Sequence, residues 1–223
     1  MESLVNKNKS VYTEKTIQMK EQVYYHFFKR LTDIVLSLIG LICLSPVLLI
    51  IALLIKVDDP KGKVIFKQRR VGLREKQFDM LKFRSMVSNA EELKAQLMAS
   101  NEADGPIFKM KDDPRITKIG KFIRKTSIDE LPQLINVLKG EMSLVGPRPA
   151  LPSEVAQYSD YHKQRLLVTP GVTCIWQVSG RSNVGFEEWM ELDLKYIRNR
   201  NYFLDIKLIF LTVFVLFGSK DAF

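Results

Sequence analysis

One apolar stretch of membrane length constrains this chain before anything else does. From Ile34 to Ile55 only Ser37, Gly40, Ser45 and Pro46 interrupt the run. As a straight helix it would extend roughly 33 Å at about 1.5 Å per residue, enough to cross a bilayer. About thirty largely polar residues precede it, and its apolar part exceeds that of a cleaved signal peptide, so the segment is expected to stay in the mature protein.

The flanks say more than the length. Lys29 and Arg30 precede the run and Lys56, Lys61 and Lys63 follow it, and Lys/Arg favours the cytoplasmic side, so both ends call for the same side. Ser45-Pro46 stands at the middle, where proline removes a helix donor and clashes with the preceding turn. A re-entrant helix-break-helix satisfies both observations. The competing reading is a tilted, kinked transmembrane helix. The aromatic cluster Tyr24, Tyr25, His26, Phe27 and Phe28 suits an interfacial belt in either case.

The 223 residues leave room for one further compact domain, giving a polar tail over 1–22, a membrane element over 23–57 and a catalytic or binding unit over 58–223. The formal charge is +9, and it is concentrated: residues 56–84 carry ten Lys/Arg against four Asp/Glu, and residues 109–125 seven against two. Such patches suit anionic headgroups, phosphate-bearing substrates or nucleic acid, or form a solvated basic face. Two distant cysteines, Cys43 and Cys174, make neither a disulfide framework nor a metal-ligand spacing. His26 and His162 have no paired ligands nearby, and no phosphate-binding Gly-rich motif is present. Chemistry in this chain therefore has to rest on carboxylates and arginines, with or without a bound metal.

The expected fold class is mainly α with a small β-hairpin and amphipathic interfacial helices around one domain. Val64–Gln68 and Gln77–Phe83 flank Val71–Glu75 and read as the hairpin. Residues 90–103 are rich in helix formers, and Gly105-Pro106 stops them. Ile116, Ile119, Phe122 and Ile123 recur at helical spacing opposite Lys118, Lys121, Arg124 and Lys125, which predicts a basic amphipathic helix at a membrane surface. Leu131–Lys139 is a second short helix ended by Gly140, with Asp129 and Glu130 at its amino end, where N–H groups favour anions. That position has a plain explanation as well, since Ser127 with Glu130 matches a capping box. Further on, the Gly146–Pro149 and Pro170–Asn183 segments are Gly/Pro-punctuated loops presenting Arg148, Gln177 and Arg181. Fixed guanidinium groups hold phosphate bidentately. Residues 186–200 read as an amphipathic helix, and the apolar run 206–217, too short to span a bilayer, as one that packs on the domain or lies in the interface.

The order of Ser45-Pro46, Lys82-Phe-Arg-Ser-Met86, Asp113-Pro-Arg115, Asp129-Glu-Leu-Pro-Gln133, Gly146-Pro-Arg-Pro149 and Pro170-Gly-Val-Thr173 resembles the bacterial sugar transferases known as monotopic phosphoglycosyl transferases. The match covers roughly residues 24–223 and suggests the family's minimal catalytic form. The resemblance implies transfer of a sugar 1-phosphate from a UDP-sugar to polyprenol phosphate on the cytoplasmic membrane face, the first step of a surface glycan. It makes Asp129 the nucleophile and gives Glu130 an assisting role, the two also holding Mg2+. Arg124 is placed toward polyprenol phosphate, and Lys82, Arg84, Arg148, Pro149 and Arg181 toward the nucleotide sugar, with Ser45-Pro46 as the helix break. Implied partners are UDP-sugar, polyprenol phosphate and membrane lipid, without nucleic acid and with room for a homo-oligomer. One departure stands out: relatives carry glycine where Cys174 follows Pro170-Gly-Val-Thr173, and glycine reaches backbone angles that cysteine resists. A non-catalytic membrane-anchored basic scaffold is the alternative, though it leaves the ordered motifs unexplained.

Overall fold

A computed structural model describes residues 16–19, 22–97, 110, 112–179 and 185–218. The apolar run and its aromatic lead-in form one long helix, α1 (Val23–Asp58). The helix is continuous through Ser45-Pro46, with no loop between its halves. The reason is local: Pro46 has no N–H for the carbonyl of Ile42, and the Ser45 hydroxyl donates to that carbonyl instead, at 2.8 Å.

After α1 the chain forms the predicted hairpin, β1 (Ile65–Val71) against β2 (Gln77–Phe83), antiparallel from Ile65 opposite Phe83 to Val71 opposite Gln77. Next come α2 (Ala90–Leu97), α3 (Lys118–Lys125), a 3₁₀ turn over Ile128–Glu130 and α4 (Gln133–Lys139). Residues 98–103 of the expected 90–103 helix lie outside the described residues. The remainder is β3 (Ser143–Val145), the short helices α5 (Pro152–Val155) and α6 (Asp160–Lys163), β4 (Gly171–Thr173), α7 (Ile175–Val178), α8 (Phe186–Asn199) and α9 (Tyr202–Gly218). The protein is thus mostly helical with a small two-stranded sheet, as its sequence indicates.

One pairing escapes the sequence reading. The segment from Pro170, expected to be a loop, contains β4 and α7, and β4 pairs in parallel with β3, with Ser143 opposite Gly171 and Val145 opposite Thr173. Its close packing needs glycine twice: a Cβ on Gly171 would stand 2.0 Å from the Gly146 nitrogen, and one on Gly146 would stand 2.5 Å from the Thr169 carbonyl oxygen. At Cys174 the backbone is extended (φ −153°), a conformation open to any residue. Cysteine in place of glycine therefore imposes no strain there, and its side chain joins the core with Val145, Val168, Leu194, Tyr196, Ile197 and Leu208.

Ile17 belongs to the same cluster, and its N–H donates to Gln164 Oε1 at 2.7 Å. The chain is therefore docked at that point of the polar N-terminal segment, where a loosely ordered tail or surface helix is expected.

Helix α1 is inside-out. Asp33 and Ser37 are buried against the domain while Leu38, Ile39, Ile42, Leu49, Ile50, Leu53 and Val57 face outward. The Lys29 Nζ donates to Val145 O and to Asp205, each at 2.8 Å. The Arg30 guanidinium caps the end of α4 through Val137 O and Leu138 O. Asp33 accepts from Ser143 Oγ and from the Leu144 N–H. Near the other end, Ile51 and Ile55 pack with Phe83 and Ile123. Both halves of the helix therefore rest on one domain. Helix α9 repeats the pattern: Asp205 and Leu208 face in, while Phe203, Phe210 and Phe214 face out.

Candidate active site

The apolar cluster that seats the C-terminal half of α1 also seats the Asp-Glu turn. Ile123 of α3 is fully buried among Ile51, Ile55 and Phe83, and Ile119 and Ile128 pack against them. Thr117 caps α3 through the Gly120 N–H. Between α3 and the 3₁₀ turn, Ser127 adopts a left-handed conformation (φ 55°), which few non-glycine residues do and which reverses the chain. Asp129 is thereby carried inward to 9 % exposure.

The capping-box reading of Ser127 and Glu130 does not hold. Ser127 makes no side-chain cap bond to the turn, and neither does Pro132 ahead of α4. Glu130 is engaged elsewhere: Lys82 Nζ from β2 donates to its Oε1 at 2.7 Å, and Arg148 Nη1 from the loop after β3 donates to the same oxygen at 3.1 Å. Glu130 Oε2 has no hydrogen-bond partner among the described residues, and Asp129 has no ion pair there.

These surroundings separate the two carboxylates electrostatically. Burial pushes Asp129 up to about 6, with the charge of Glu130 adding to it and Lys82, Arg124 and Arg148 opposing it. Burial also works to raise Glu130, but Lys82 and then Arg148, by charge and by hydrogen bond, hold its carboxyl well below the usual range. One carboxylate is firmly ionised and paired, while the other is buried, unpaired and close to neutral pH in its titration. Pairs of titratable groups driven apart by their environments recur in acid/base and nucleophilic sites.

The other expected site residues divide. Arg124 is half-buried, its guanidinium makes no hydrogen bond among the described residues, and its charge acts on Asp129 and on Asp113. Asp113 is tied to Arg115 by bonds at 2.6–3.2 Å, a buried pair that shapes the approach to α3. Pro149 contributes its carbonyl oxygen to Arg70 Nη1 at 2.8 Å. Arg84 stands apart from the carboxylates: its guanidinium pairs with Asp59 beyond the end of α1, with Nη2 on the Asp59 carbonyl at 2.9 Å. Arg181 lies outside the described residues. Nothing in the sequence singles out Arg70 and Arg165, although both hold the Arg148 loop. Arg69-Arg70 differs little from any basic pair in a strand, and only the packing distinguishes it.

Mg2+ characteristically takes one or two carboxylates and completes its shell with substrate phosphate and water. Asp129 and Glu130 fit that demand, one unpaired and the other with a spare oxygen. Among the described residues no cluster of three His, Cys, Asp or Glu could form an all-protein cage.

The bacterial sugar transferase family matches residues 24–219 of this chain. The galactosyl transferase CpsE of Streptococcus agalactiae is 47 % identical over 213 residues, which is 95 % of this chain and 47 % of that protein. The undecaprenyl-phosphate galactose phosphotransferase of Salmonella typhimurium is 45 % identical over 204 residues, 88 % of this chain and 42 % of that protein. The exopolysaccharide production protein ExoY of Sinorhizobium fredii, 37 % identical over 199 residues, is covered over 88 % of its own length. The chain spans about half the length of the first two and most of the third. With the family matched from the start of α1 to the end of α9, the chain belongs to the bacterial sugar transferases.

Proposed function

We propose that this protein transfers a sugar 1-phosphate from a UDP-sugar to undecaprenyl or another polyprenol phosphate, releasing UMP and opening the synthesis of a surface polysaccharide. The observation that carries the reading is the split pair, an unpaired buried Asp129 beside a Glu130 held by Lys82 and Arg148. Relatives named as undecaprenyl-phosphate galactose phosphotransferase and UDP-glucose:undecaprenyl-phosphate glucose-1-phosphate transferase, at 45 % and 44 % identity, support the substrate classes.

In the proposed chemistry a carboxylate oxygen of ionised Asp129 attacks the β-phosphorus of the donor. The bond from that phosphorus to the bridging oxygen breaks, and UMP leaves with the electron pair. An oxygen of polyprenol phosphate then attacks the acyl phosphate and returns the Asp129 carboxylate. Arg124, whose guanidinium makes no hydrogen bond among the described residues and whose charge acts on Asp129, is placed to receive the acceptor phosphate. Arg148 and Lys82 set the field around the donor phosphates while keeping Glu130 ionised. A Mg2+ ion held by Asp129 and Glu130 would supply charge neutralisation for the crowded phosphate oxygens. Arg84 and Arg181 belong to the same proposal as nucleotide-side residues, although Arg84 acts on Asp59 in this conformation.

The test is UMP release by detergent-solubilised protein with Mg2+, polyprenol phosphate and a panel of UDP-sugars. Steady release with one or two donors is expected. Without acceptor, release should stop at about one UMP per active site. Silence across the panel from folded protein would favour the scaffold reading.

The proposed setting is the cytoplasmic face of the cell membrane, with α1 dipping into the apolar phase through a bend at Ser45-Pro46 inside the continuous helix, both of its ends on the same side. Docking of both Lys29–Asp33 and Ile51–Ile55 on one domain supports this reading, because a crossing helix would carry one of those contacts away from the domain. Cysteines placed singly at Tyr24 and Val57, both exposed, in a Cys43→Ser background should both be shielded from an impermeant thiol reagent in intact cells. Labelling at one of the two positions would mean a spanning helix.

A further inference from the structure

Four consecutive carbonyls around Arg148 are each taken by a donor. The Gly171 N–H donates to Pro147 O at 2.9 Å, Arg165 Nη2 to Arg148 O at 2.8 Å, Arg70 Nη1 to Pro149 O at 2.8 Å and the Val71 N–H to Ala150 O at 2.9 Å. Neither Pro147 nor Pro149 has an N–H, so carbonyl oxygens are the main backbone handles by which this stretch can be held.

Two of those handles are gripped by buried guanidinium groups. Arg165 is fixed by Asp193 and Tyr158 Oη and lies 5.0 Å from the centroid of the Trp189 ring. Arg70 is buried without a carboxylate partner among the described residues: its Nε and Nη2 meet Gln68 Oε1 at 3.1 and 2.6 Å, and its remaining bond is to Pro149. Burial lowers its pKa to about 10, and the like charge of Arg148 adds to that. The charges of Glu154 and Glu130 offset this only in part, and a buried cation with no direct ion pair costs stability that an apolar side chain would not. Its bond to Pro149 O is what it contributes in return.

We propose that Arg70 is a positioning residue for transfer: its hold on Pro149 O, beside the hold of Arg165 on Arg148 O, fixes the backbone from which Arg148 reaches Glu130. Arg70 acts through Arg148 and not on substrate. The proposal rests on the reading that places Arg148 in the active site.

The experiment is a double-mutant cycle. Arg70→Met and Arg70→Lys are made in wild-type and Arg148→Lys backgrounds, and kcat and donor KM for UMP release are measured together with Tm. Arg70→Met should lower kcat/KM about tenfold in the wild-type background and less than about twofold in the Arg148→Lys background, since coupled residues do not add. Its division between kcat and KM should copy that of Arg148→Lys, and Arg70→Lys, which keeps a donor for Pro149 O, should recover part of the loss even where Arg70→Met folds poorly. Equal losses in both backgrounds, or a fall in kcat alone that follows the folded fraction, would leave Arg70 as scaffold and overturn the proposal. Wild-type kinetics in Arg148→Lys would remove Arg148 from the site and the clamp with it.

Discussion

Asp129→Asn is expected to reduce UMP release by at least about 10³-fold, the scale of losing a covalent nucleophile, while leaving the protein folded. Asparagine keeps the shape of the side chain, and with no ion pair on Asp129 among the described residues the change strands no cation. The fold should even gain slightly near neutral pH. A carboxyl raised to about 6 binds protons more readily folded than unfolded, so its contribution to stability declines as pH rises from its ordinary value through about 6. Activity runs the other way, because only the ionised form attacks. For wild type, kcat/KM should fall about tenfold per pH unit below about 6. A rate profile flat to pH 5 would mean that bound Mg2+ keeps Asp129 ionised, whereas turnover near wild type in Asp129→Asn would remove Asp129 as the nucleophile.

What the sequence shows of this site follows from how local each feature is. The Asp-Glu pair, the amphipathic α3 and the hairpin are written in neighbouring residues, in spacing, capping and alternation, and the structure has them close to where those signals lie. The turn that presents Asp129 is less legible. Ser127 matches a capping box by type, yet its left-handed backbone and the ion pairs of Glu130 remove both halves of the box. Those ion pairs join residues 48 and 18 positions apart, a juxtaposition no local pattern encodes. Arg84, two residues from Lys82 on the same motif, is held instead by Asp59.

Longer-range features were hidden for the same reason. The parallel β3–β4 pair joins two three-residue strands, too short for alternation to register, and the glycines that allow it look like turn residues. The membrane helix shows the reverse case. Proline in mid-run argued for a turn, and the serine before it offsets the lost bond, so the backbone stays helical at that point. Its inward polar residues, Asp33 and Ser37, are visible in the sequence as interruptions, but only the packing shows that they face the domain.

Glu130→Gln should fail in a different manner from Asp129→Asn, losing stability and activity together. Glu130, Lys82 and Arg148 are 22 %, 14 % and 28 % exposed at the side chain, so removing the carboxylate leaves two poorly solvated cations with Asp129 as their remaining nearby anion. Breaking a buried charge pair on one side costs about 2–5 kcal/mol, and residual solvation places this case at the lower end. Thermal denaturation near neutral pH should show that loss as a lower Tm. Because the carboxyl of Glu130 is held below its ordinary value, its stabilisation is complete above that value and fades as pH drops beneath it, so the Tm gap to wild type should narrow in acid. The same substitution frees Lys82 to turn to Asp129, and it removes the charge that helps raise Asp129. The acid limb of kcat/KM should therefore move below 6 even as the maximum rate falls, since a paired, less basic carboxylate is the weaker nucleophile. An unchanged Tm with an unmoved limb would mean that Lys82 and Arg148 do not depend on Glu130. Glu130 would then be a metal ligand at most, and the electrostatic partition between the two carboxylates would not be what prepares Asp129 to attack.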